Sequence, residues 1–236
     1  MASSMTLAAN LAHIREQIAA ACRRANRAES EVALMAVTKT HSAETVLDAY
    51  AAGIRLFGEN RVLEWQEKSL ALTQLLDAEF HLIGPLQSNK TARAAELFDA
   101  LDAVDSLKIA TRLDAAVRAL GKRIPILIEV KLSQEESKHG VLPAELPALL
   151  AGLAPLGGLI PSGLMTVPPW FEDPEQSRTY FRELCRLRDG SLAACPTLTQ
   201  LSMGMSNDFG VAIEEGSTCV RIGTALFGRR QYTTVS

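Results

Sequence analysis

Gln200-Leu201-Ser202-Met203-Gly204-Met205-Ser206, an acidic helical piece, then Val220-Arg221-Ile222-Gly223-Thr224-Ala225-Leu226-Phe227-Gly228: this stretch decides the reading of the chain. Two short apolar runs each break off into glycine or small polar residues. A strand ends this way when the following turn must bring backbone N–H groups close to an anion such as a phosphate. One such turn alone is equally well explained as ordinary turn punctuation. Two of them, with Arg221 two residues before Gly223, favour an anion. Far upstream, Leu34-Met35-Ala36-Val37-Thr38 is another apolar run, and it stops at Lys39.

Working outward, the same alternation fills the chain. Strand-like runs occupy 32–38, 55–58, 80–84, 100–104, 124–130, 156–165, 197–202 and 219–222. Helical patterns separate them at 43–52, 62–76, 91–97, 107–120, 146–153, 174–189 and 209–215. Ser42 and Ser106 stand where N-caps belong, and Pro174 suits a first helical turn. Leu7, Leu11, Ile14 and Ile18 recur at helical spacing and predict an additional N-terminal helix running to about residue 28. Eight β/α units predict one domain over residues 1–236, a single (β/α)8 barrel. The competing topology is an open doubly wound sheet, which usually has fewer strands. No G-x-G-x-x-G supports it.

Composition narrows the function. A net charge of −3, with 24 basic and 27 acidic residues, argues against nucleic acid held by phosphate neutralisation. No apolar run is long enough to cross a bilayer, and the first residues lack the charged and apolar regions of a secretory signal. Cys22, Cys185, Cys195 and Cys219 are too scattered for a metal motif and predict reduced thiols in a cytosolic protein.

In a barrel, chemistry sits at the C-terminal ends of the strands. Those ends carry Lys39, Glu59, Asn60, Gly84, Ser106, Lys131, Met165, Ser202, Arg221, Gly223 and Thr224. Lys39 shares its rim with two candidate phosphate turns. Partial burial and a cationic neighbour lower a lysine's pKa toward the neutral amine that imine formation needs. Arg221 is the candidate neighbour, and Lys131 the other strand-end lysine suited to the same chemistry. His41 reads as a loop residue, His81 as a core histidine, and His13 and His139 as surface residues. Asp208, Glu214 and Glu215 read as a solvated helix face, and Trp65 and Trp170 as packing residues.

Several blocks together resemble a known family. They are Ala36-Val37-Thr38-Lys39-Thr40, Phe57-Gly58-Glu59-Asn60, His81-Leu82-Ile83-Gly84-Pro85-Leu86-Gln87-Ser88-Asn89-Lys90, Glu135-Glu136-Ser137-Lys138-His139-Gly140, Gly163-Leu164-Met165-Thr166 and the two blocks quoted first. In this order they are similar to the pyridoxal phosphate homeostasis proteins (the YggS/PROSC family). The resemblance spans about residues 7–230. It implies a fold type III barrel like the N-terminal domain of alanine racemase, binding pyridoxal 5′-phosphate.

By position, the resemblance implies that Lys39 forms a Schiff base with the cofactor aldehyde. Ser202, Gly223 and Thr224 would hold the phosphate, with Met203 beside them. Arg221 would face the pyridine nitrogen and Asn60 would lie by the ring. This chain departs from the family at Arg61, where tyrosine is frequent, at His41-Ser42, where Lys-Pro is frequent, and at Asn207, where Asp is commoner.

A permanent cation at the ring nitrogen makes the ring a poor electron sink. The three tyrosines, Tyr50, Tyr180 and Tyr232, do not end strands, and no second domain is expected after Gly228. The expectation is a monomeric cytosolic carrier or buffer of the cofactor without catalytic turnover, serving pyridoxal phosphate-dependent apo-enzymes. A racemase-like enzyme and a cofactor-free Schiff-base lyase, working through Lys39 or Lys131, are the alternatives.

Overall fold

The computed structural model describes residues 6–133, 135 and 139–228. Gln134, then Glu136, Ser137 and Lys138 of the fourth block, and Tyr232, lie outside the described residues. Eight parallel strands close in chain order, each hydrogen-bonded to the next and the last to the first. They are β1 (Ala33–Val37), β2 (Leu56–Glu59), β3 (Glu79–Leu82), β4 (Ala100–Val104), β5 (Ile124–Glu129), β6 (Leu159–Met165), β7 (Gln200–Met205) and β8 (Cys219–Ile222). The helices are α1 (Leu7–Arg24), α2 (Ala43–Ala51), α3 (Val62–Ser69), α4 (Thr91–Leu97), α5 (Leu107–Ala119), α6 (Leu146–Leu153), α7 (Arg178–Ser191), α8 (Phe209–Glu214) and α9 (Thr224–Phe227). This is a (β/α)8 barrel with α1 as the extra N-terminal helix.

Side-chain alternation along each strand builds two layers. Ile126, Ile128 and Leu164 face outward into one large core shared with the helices. Leu127 and Met165 face the other way and meet Ala103 in a small cluster. Ser42 and Ser106 cap α2 and α5, each hydroxyl accepting an amide hydrogen bond at 3.4 Å.

Most boundaries shift by a few residues against the sequence reading, and three of the differences bear on packing or on the site. Residues 25–31 leave α1 for a short 3-10 turn at Glu29–Glu31. The third helix stops at Ser69 rather than continuing to Leu76. Beyond it Leu72 and Leu75 are buried while Leu70 and Leu76 are exposed, and successive i→i−3 turns replace the helix.

The third difference moves the site. β7 does not end at Ser202 but continues to Met205. Its register against β8 shifts between Ser202 and Met205, a bulge of one residue. Gly204 makes this possible. Its φ is +94°, and a Cβ there would lie 2.5 Å from Ala212 Cβ, so α8 packs directly on its backbone.

Candidate functional site

A cleft of about 720 Å³ opens at the C-terminal end of the barrel. Lys39, Asn60, Arg221, Gly223 and Thr224 all line it, as the sequence reading requires. Lys39 follows β1 and is the lysine of this wall among the described residues. Lys131 lies just past β5, its amide donating to the Val141 carbonyl at 2.9 Å, and is not in the wall. Asn60 stands at the end of β2. Gly84 makes room for it, since a Cβ there would meet the Asn60 carbonyl oxygen at 2.3 Å.

Arg221 points up from β8 and is 4% exposed. Its Nη1 donates to Ser202 Oγ at 2.7 Å and its Nη2 to the Thr166 carbonyl at 2.8 Å. Thr166 is itself fixed, donating its hydroxyl to the Val130 carbonyl at 2.9 Å. Burial draws the Arg221 pKa down, while Cys219, Asp102, Glu129 and Asp208 push the other way. A guanidinium stays protonated through any such shift. The site therefore has a fixed cation on its floor.

Ser202 and Met203 do not line the cleft. Both are fully buried in β7: Ser202 turns inward beneath Arg221, and Met203 turns outward into the main core. The turn after the bulge presents Ser206 instead. Ser206 Oγ accepts the Ala225 amide at 3.1 Å, which ties the turn after β7 to α9 and leaves the hydroxyl hydrogen free to donate. Asp208 is 6% exposed, not solvated. Its two carboxylate oxygens accept from the Met205 amide at 2.7 Å and the Ser177 hydroxyl at 3.0 Å. The Ser-Met-Gly-Met-Ser run itself held the missed signal: its second serine, not its first, follows the last apolar residue.

The rim is more aromatic than the sequence suggested. Trp170 is 74% exposed and lines the cleft with Pro169 and Phe171, so it is not a packing residue. Trp65 is one, stacked on Phe80 at 4.1 Å. The loop carrying Trp170 is anchored at the next residue, Phe171, by two contacts. Asn207 Nδ2 donates to the Phe171 carbonyl at 2.9 Å, and the Phe171 ring meets Tyr180 at 6.0 Å. His41 lines the cleft and meets the Phe227 ring at a tilt, with centroids 4.7 Å apart, and His139 also lines it. His81 lies inside the barrel, bonded through Nδ1 to Asp102 at 3.1 Å. Burial lowers its pKa, but the charge and hydrogen bond of Asp102 outweigh that and leave it raised.

Comparisons with known proteins place the chain in a family. The family model for the alanine racemase N-terminal domain matches residues 9–231. A pyridoxal phosphate homeostasis protein from Aquifex aeolicus is 42% identical, over 97% of this chain and 100% of the relative. Its counterpart from Escherichia coli K12 is 41% identical over 96% and 98%. PipY of Synechococcus elongatus, solved with pyridoxal phosphate bound, superposes with a TM-score of 0.85 at 39% identity, covering 94% of this chain and 100% of PipY. Alanine racemase from Clostridium difficile shares the fold alone, at 14% identity and a TM-score of 0.67 over 93% of this chain and 60% of the enzyme. The chain belongs to the pyridoxal phosphate homeostasis protein family, built on the alanine racemase N-terminal domain.

Proposed function

We propose that this protein binds pyridoxal 5′-phosphate on Lys39 and buffers or carries it, without turning over a substrate. One observation carries the reading: an amine, a buried guanidinium and a small-residue anion turn line a single cleft of ligand size. The residues fit the group. Ser206, Gly223 and Thr224 offer a hydroxyl and unobstructed backbone to a phosphate, and Arg221 stands below them. Asn60 flanks the ring position, and Ser202 acts at one remove by aiming Arg221. Met203 supports the strand from the core side.

When bound, the cofactor supplies an aldehyde that condenses with amines and a ring able to draw electrons. Lys39 provides the amine. Arg221, permanently charged, keeps a proton off the ring nitrogen and so weakens the ring's electron demand. Tyr50 and Tyr180 lie on α2 and α7, away from the cleft wall, so neither stands ready as a second base. This supports storage over racemisation. The thiols are unbridged, which suits a cytosolic carrier that gives its cofactor to apo-enzymes while acting as a monomer.

The test is direct. Protein incubated with pyridoxal 5′-phosphate should absorb visible light, and borohydride reduction with peptide mapping should place the label on Lys39. Lys39→Ala should lose the covalent label while keeping weaker, phosphate-dependent binding. A full label in that variant would move the anchor to another lysine. In deuterated water, L-alanine should keep its α-proton in the presence of the loaded protein; rapid exchange would make the protein an enzyme.

A further inference from the structure

Lys39 does not simply follow a strand; it occupies a tight turn. The His41 amide donates to the Thr38 carbonyl at 3.0 Å, which places Lys39 and Thr40 at the two central positions of a β-turn. Thr40 has φ +66° while Lys39 does not have positive φ. That is the type II pattern, whose third residue is normally glycine or asparagine. A β-branched residue in this region is strained and persists only where its surroundings enforce it.

The enforcing groups come from α3. The Thr40 amide donates to the Glu64 carboxylate. Lys68, one turn further along α3, donates from Nζ to the Thr38 carbonyl at 2.9 Å, to Glu59 Oε1 at 2.8 Å and to Glu64 Oε1 at 3.5 Å. The Thr38 hydroxyl also donates to Glu59 Oε1, at 2.7 Å. Glu59 is fully buried and the Lys68 side chain is 7% exposed. The residues on both sides of Lys39 are therefore gripped by one charged network, while Lys39 itself lines the cleft.

We propose that Glu64, braced by Lys68, is a positioning residue: it clamps Thr40 in the left-handed conformation and so sets the direction in which Lys39 enters the cleft. The strain at Thr40 is the cost of holding that amine in place before the cofactor arrives. Its consequence for cofactor capture rests on the proposed function; the clamp itself does not.

The test uses Glu64→Ala, Glu64→Gln, Thr40→Gly and the double variant Glu64→Ala/Thr40→Gly. The Glu64 side chain is 25% exposed, so these proteins should fold. In protein free of cofactor, the Thr40 amide should exchange with deuterium slowly in wild type and in Glu64→Gln, which keeps an acceptor, and rapidly in Glu64→Ala. Affinity for pyridoxal 5′-phosphate should fall about tenfold in Glu64→Ala, the loss of one hydrogen bond to a charged acceptor. Glu64→Gln should stay near wild type. Adding Thr40→Gly should recover most of the Glu64→Ala loss, because glycine holds positive φ without a clamp. A merely structural Glu64 would lower melting temperature without that rescue. Affinity unchanged in Glu64→Ala, or a double variant no better than the single, overturns the proposal. If wild type carries no cofactor on Lys39, the functional reading falls, and the Thr40 exchange rate still decides for or against the clamp.

Discussion

Arg221 is a buried cation whose direct contacts are neutral acceptors, Ser202 Oγ and the Thr166 carbonyl. Removing one of them leaves a charged donor short of a partner, and the guanidinium should shift. Ser206 has the opposite role, spending a lone pair on the Ala225 amide and keeping its proton for an anion. The two serines should therefore respond differently to substitution. Ser206→Ala should weaken binding of pyridoxal 5′-phosphate by roughly 1.5–3 kcal/mol, the value of a charge-assisted hydrogen bond, and leave unphosphorylated pyridoxal nearly unaffected. Ser202→Ala should weaken both ligands together, because both present the same ring nitrogen to Arg221. Paired titrations with the two aldehydes distinguish the roles, and an equal loss in Ser206→Ala would remove it from the phosphate site. At this scale the sequence was legible for the place of Lys39, Asn60, Arg221, Gly223 and Thr224 in the wall of one cleft. Ser202 lies buried beneath that wall, not in it, because β7 runs on through a bulge.

That bulge shows where element-level reading stops. Apolar runs and caps are local, so the eight units and their order could be counted directly. Where β7 ends is decided by the backbone of Gly204 against Ala212 and Phe209 of α8, a contact that periodicity does not encode. The Trp170 loop was hidden in the same way. A tryptophan between proline and phenylalanine reads as packing, but Asn207 holds the Phe171 carbonyl from the next β/α turn and leaves the indole in the cleft. Asparagine at 207 is also explained, since a carboxylate there could not donate to that carbonyl. Loading with pyridoxal 5′-phosphate should quench tryptophan emission, and Trp170→Phe should abolish most of the quenching while buried Trp65 stays bright. Asn207→Asp should loosen the loop and speed cofactor release several-fold with little change in melting temperature. Stopped-flow fluorescence measures both. Equal quenching in Trp170→Phe would assign the signal to Trp65 and detach the loop from the ligand.

Across the whole molecule, the barrel closes through β8 on β1, and the first helix covers the last β/α units beside that join. Helix α1 packs on α8 and α9, Asn10 donates to the Leu226 carbonyl at 2.9 Å, and Arg27 donates to the carbonyls of Ile213 and Ser217 at 2.9 and 2.8 Å. An ion network covers this seam. Arg178 bonds Glu214 at 2.7 Å and Glu215 at 2.8 Å, with Arg24 on Glu214 at 2.5 Å and Arg182 on Glu215 at 2.9 Å. Glu214 and Glu215 looked like a solvated helix face because their partners lie more than thirty residues away; their side chains are 20% and 13% exposed. Burial opposes their ionisation, but the arginine hydrogen bonds outweigh it and hold both below the usual glutamate value. A depressed carboxylate contributes stability above its unfolded pKa and loses it as pH falls through the folded one. Stability should thus drop as pH falls from about 4.5, the glutamate reference region. Arg178→Met should cost about 1–2 kcal/mol at pH 7, between the values for exposed and buried pairs. It should also flatten the acid limb, since the carboxylates would then titrate nearer their unfolded values. Urea titrations at pH 7 and pH 3 measure this: the gap between wild type and variant should shrink at the lower pH. A gap that stays constant would mean Arg178 contributes through the packing of its stem on α8, not through charge.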